Sequence, residues 1–109
     1  MDLARPDGLK SESSMSDLSF DYQKVSSIDE AFESIKSFVT PENIAKFKVK
    51  AEIEYDRPGN KMVATGKGFT LTVTFMDSKV DVDLKLSFIL RPLRSTVLST
   101  IKEEFSQLV

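Results

Sequence analysis

The 109-residue chain contains no cysteine and no histidine. Without cysteine it has no disulfide, no thiolate nucleophile, no iron–sulfur ligand set and no zinc finger. Without histidine it lacks the one side chain whose unperturbed pKa lies near neutrality, and most acid–base enzyme templates go with it. A surplus of one charge is missing too. Fifteen Lys plus Arg stand against seventeen Asp plus Glu, a net charge of −2. Nucleic-acid binding driven by counterion release needs a cationic excess, so this balance argues against nucleic acid as a partner. Long apolar runs are also absent. Nothing approaches the 18 or so residues of a transmembrane helix, and the opening MDLARPDGLKSESSM lacks the apolar stretch of a secretory signal. The expected location is the cytoplasm.

What remains is ordinary globular material: 40% hydrophobic and 29% charged residues, enough for one core and not for two. Residues 1–16 hold Pro6, Gly8 and four serines with little apolar content, and are expected to form a disordered tail ahead of a single domain over 17–109.

From Asp17 the pattern has period two, with Leu18, Phe20 and Tyr22 on one side, which predicts a strand. Ser27 and Glu30 have the spacing of a capping box, in which each side chain satisfies a backbone N–H at a helix start. Ile28, Ala31, Phe32, Ile35, Phe38 and Val39 then make one helical stripe. Thr40-Pro41 interrupts it and suits the cap and first position of a short further turn through Ile44 and Ala45. Period two returns at Val49, Ala51, Ile53 and Tyr55, followed by an Arg57-Pro58-Gly59-Asn60 turn and a strand over 61–65. Gly66-Lys67-Gly68 marks either a bulge or a break. Phe69, Leu71, Val73 and Phe75 alternate with Thr70, Thr72 and Thr74. After Asp77-Ser78, the apolar residues Val80, Val82, Leu84, Leu86 and Phe88 alternate with Asp81, Asp83, Lys85 and Ser87. Pro92 suits a helix start, and Leu93, Val97, Leu98, Ile101, Phe105 and Leu108 form the closing stripe.

The order β-α-β-β-β-β-α, with one dry face per strand and two amphipathic helices to cover it, predicts an α+β two-layer sandwich. Its antiparallel sheet has four to five strands, and both helices lie on one face. Phe20, Phe32, Phe38, Phe69, Phe75 and Phe88 are expected to dominate the core.

Few residues invite chemistry. Asp77, Asp81 and Asp83 lack the spacing of a calcium loop, so no metal site and no cofactor are expected. Gly66-Lys67-Gly68 precedes a strand, which does not fit a phosphate-cradling loop. Any enzyme would have to work with Tyr22, Tyr55, lysines and carboxylates, and none is expected. Candidate partner contacts are the hydroxyl row Thr70, Thr72 and Thr74, and the pair Arg91 and Arg94. Those two cations flank the start of the last helix, where the backbone dipole disfavours positive charge unless an anion lies close. A second class of function, RNA or ribosome binding on a similar two-layer fold, would use Lys46, Lys48, Lys50, Arg57, Lys61 and Lys67. Glu52, Glu54 and Asp56 interleave with that zone and weaken it.

Over residues 61–108, Gly66-Lys67-Gly68-Phe69, Leu71-x-Val73, Val80-x-Val82-x-Leu84-x-Leu86 and Phe88-Ile89-Leu90-x-Pro92-Leu93 precede a closing helix. This pattern resembles the small bacterial polyhydroxyalkanoic acid system proteins. The resemblance brings no catalytic residues. It implies a non-enzymatic interaction or scaffolding protein of the bacterial cytoplasm, associated with polyester storage granules. Its expected partner is another protein or the granule surface, with a homodimer through a sheet edge or the exposed face as a further expectation.

Overall fold

The computed structural model describes residues 16–109. In chain order they form β1 (Leu18–Asp21), α1 (Ile28–Lys36), α2 (Pro41–Ala45), β2 (Ala51–Asp56), β3 (Lys61–Gly66), β4 (Phe69–Phe75), β5 (Lys79–Leu86), a 3-10 segment (Phe88–Leu93) and α3 (Arg94–Leu108). The expected tail falls outside the described residues, apart from Ser16.

The five strands lie in the order β1-β5-β4-β3-β2, each pair antiparallel. Strands β2 to β5 are a simple meander. By contrast β1 and β2, neighbours in the chain, occupy opposite edges, and α1 and α2 carry the chain between them. The helices cover the sheet's apolar face, as the two-layer expectation requires. Phe32 of α1 meets Phe75 of β4 with ring centroids 5.1 Å apart, and Phe105 of α3 meets Phe20 of β1 at 5.7 Å and Phe38 at 5.9 Å. Tilted and edge-on pairs of this kind add to the stabilisation from area burial alone.

Local chemistry explains the boundaries. Ser27 is extended, and its hydroxyl accepts from the Glu30 N–H at 3.2 Å. The Glu30 carboxylate reaches back one residue further than the expected box, accepting from the N–H and the hydroxyl of Ser26, both at 2.8 Å. Helix α1 stops at Lys36, short of the stripe, because the chain turns at Ser37 while still placing Val39 in the core. Thr40 then caps α2, its hydroxyl accepting from Asn43 N–H at 3.1 Å, with Pro41 at the first helical position.

Gly66-Lys67-Gly68 is the break between two strands and not a bulge within one. It is the tight β3–β4 hairpin, with Gly66 opposite Phe69 and Gly68 at φ +74°. A side chain at Gly66 would collide with the Lys50 carbonyl.

One core assignment is corrected. Phe88 is 84% exposed. Strand β5 ends at Leu86, and Ser87 donates its N–H to Gly68 O at 2.8 Å as the chain leaves the ladder and enters the 3-10 segment. The period changes there, so Leu90 and Leu93 pack against the core while Phe88 and Ile89 point to solvent. Phe105, fully buried, joins Phe32, Phe69 and Phe75 inside, while Phe20 and Phe38 are partly buried and pack against that core. Pro92 lies within the 3-10 segment, and α3 begins at Arg94, not at Pro92.

Candidate functional site

The candidate partner contacts divide between β4, which carries Thr70, Thr72 and Thr74, and the segment after β5, where Arg91 lies in the 3-10 turn and Arg94 opens α3. Thr70, Thr72 and Thr74 form one outward row on β4, each half-buried. Opposite them on β5 stand Lys85, Asp83 and Asp81, and on β3 Thr65, Val63 and Lys61. The hydroxyl row is therefore bordered by charge on one side and mixed chemistry on the other, not repeated across neighbouring strands.

Asp81 is the charged residue buried among the described residues, 3% exposed, and it accepts from Ser19 Oγ at 2.7 Å across the β1–β5 pair. Its neighbour Asp83 has a raised pKa. Burial is the main cause, the charges of Asp17 and Asp81 add to it, and the Asp17 backbone and Lys85 pull the other way. Among the described residues, no three His, Cys, Asp or Glu side chains converge as a metal site would require.

Arg91 and Arg94 have different surroundings. Arg94 donates to Leu84 O at 3.1 Å and pairs with the Asp17 carboxylate, whose second oxygen accepts from Leu84 N–H at 2.7 Å. This clamp joins the start of β1 to β5 and the first turn of α3. Asp17 is the acidic neighbour that a cation at a helix N-terminus calls for. Arg91 is exposed and, with Lys85, Arg94, Leu84 and Leu86, lines an open cleft of about 570 Å³.

Both tyrosines are structural. Tyr22 donates to Met76 O and Tyr55 to Val39 O, each at 2.7 Å. Burial, the largest cause, raises both pKa values, which is opposite to what an activated phenolate needs. The six-cation zone is also partly matched by acids: Lys61 faces Asp56 across β2–β3, and Arg57 pairs with Asp29.

The feature missed in the sequence is the Phe88–Ile89 pair, 84% and 83% exposed. Two consecutive large apolar side chains left this open form an apolar patch, whereas scattered single ones are ordinary surface. A signal was present: Phe88-Ile89-Leu90 is three apolar residues in a row, which a strand with one wet face cannot bury.

Among the described residues no helix is long and apolar enough to cross a membrane. No curated protein and no solved structure shows significant similarity to the chain. A family profile does match, over residues 17–109, extending well upstream of the segment 61–108 that carries the resemblance. By that match the chain belongs to the family of putative polyhydroxyalkanoic acid system proteins.

Proposed function

We propose that the protein is a non-catalytic interaction protein of the cytoplasmic polyester storage system, attached to the granule surface. The exposed Phe88–Ile89 pair carries this reading: two adjacent apolar side chains, 84% and 83% open to water, suit a partner that is itself apolar. Family membership supplies the system, and the backbone-bonded tyrosines leave little with which to build a catalytic centre. The test is microscopy of an N-terminal fluorescent fusion in polyester-accumulating cells of the native host. The label should gather on granules and become diffuse in the double variant Phe88→Ser, Ile89→Ser. A parent protein that stays diffuse in granule-filled cells overturns the proposal.

A further inference from the structure

The backbone holds Phe88 and Ile89 out in water. Leu90 N–H donates to Ser87 O at 3.0 Å, Ser87 N–H donates to Gly68 O at 2.8 Å, and Leu90 and Leu93 pack on the core to either side of Arg91-Pro92. An apolar tip on an anchored segment enters a partner phase with little further ordering cost.

The surroundings of the tip are cationic in a chain whose net charge is −2. Arg91 lies two residues beyond Ile89, and Lys85 lines the same cleft as Arg91. Lys67 sits on the β3–β4 turn, where Gly68 abuts Ser87 and Leu90. All three are exposed. Asp17 and Asp83 are the nearby acids on the adjoining face, and Asp17 is engaged by Arg94. Apolar insertion combined with a basic rim is the arrangement by which proteins hold onto apolar phases whose surface bears negative charge. A polyester of hydroxy acids offers such a surface, since its chains are apolar and each ends in a carboxyl group.

We infer that the Phe88–Ile89 tip is an interfacial anchor inserted into the polyester, and that Lys67, Lys85 and Arg91 form a collar binding carboxylates at its surface. This rests on the granule reading above and adds to it a specificity for charge. Attachment should be both apolar and salt-dependent.

The experiment is co-sedimentation of the full chain with three probes: polyhydroxyalkanoate particles with free carboxyl ends, the same particles after methyl esterification, and anionic phospholipid vesicles. The carboxyl particles should bind most strongly, and binding should weaken at about 0.5 M salt. Arg91→Gln and Lys85→Gln should each weaken it roughly fivefold. The double variant Phe88→Ser, Ile89→Ser should weaken it at least about tenfold, with an unchanged circular dichroism melt showing that it folds. Equal, salt-independent binding to esterified particles overturns the collar. Unchanged binding by the double serine variant overturns the tip, and preference for vesicles overturns the polyester as partner. Particle binding by a protein that stays diffuse in cells refutes granule attachment and leaves the anchor standing. Granule localisation without particle binding refutes the anchor alone.

Discussion

Phe105 and Phe88 are the same side chain in opposite surroundings. Phe105 is fully buried between Phe20 and Phe38, so Phe105→Ala should cost about 3–5 kcal/mol of stability. Phe88→Ala should change it by no more than about 0.5 kcal/mol. Urea unfolding of both variants checks the contrast. Two carboxylates differ in a similar way. Hydrogen bonds from Ser26 lower the Glu30 pKa, so its contribution is present above its ordinary pKa and is lost as pH falls through the folded value. The raised pKa of Asp83 has the opposite sign. The folded state holds that proton more tightly, so stability is lost as pH rises through the folded value. Asp83→Asn should therefore be more stable than the parent at neutral pH, and the gap should close as pH falls toward the ordinary value of 3.8, as thermal melts across the acid range would show. At this scale the sequence was informative about faces and weaker about partners. Period two placed Asp81 and Asp83 outward, but it contains nothing about Ser19 lying opposite Asp81 or about the burial of Asp81.

The β3–β4 hairpin and α2 show how single positions shape whole elements. Gly66 lies where the Lys50 carbonyl approaches too closely for any side chain, so Gly66→Ala should destabilise by about 1–3 kcal/mol, measurable as a lowered denaturant midpoint. Thr40→Ala removes the acceptor for Asn43 N–H and should cost about 1 kcal/mol, seen by the same measurement. Element types and order were legible because alternation and stripes record which face is dry. Boundaries were less so. A turn at Ser37 can bury Val39 as well as a continued helix would, and a 3-10 segment can bury Leu90 and Leu93 without burying Phe88. Periodicity records that a side chain is inside, not which backbone geometry put it there. The candidate anchor was hidden for that reason, since Phe88 continues the β5 alternation on paper after the strand has ended in space.

The whole molecule is tied together where β1, β5 and α3 meet. The Asp17–Arg94 pair spans these elements and is partly open to solvent, with side-chain exposures of 23% and 43%. A double-mutant cycle with Asp17→Ala and Arg94→Ala should give a coupling of about 0.5–1 kcal/mol that shrinks with added salt. Arg94 thus has a role in closing the fold, while Arg91 is left facing outward. Strand pairing was not written in any local pattern. Each strand declares its dry face, yet placing β1 beside β5 and not beside β2 depends on the path of α1 and α2 over the sheet.

That placement also bears on how the chain is made. Ser19 and Asp81 are bonded across 62 positions. At about 5–20 residues per second, a ribosome takes roughly 3–12 s to deliver the second after the first. Throughout that interval β1 has no strand to pair with, and Phe20 has no α3 to cover it. The β2–β5 meander can zip as each hairpin emerges. The leading strand instead waits as an apolar segment in a growing nascent chain, where a holding chaperone would find it first.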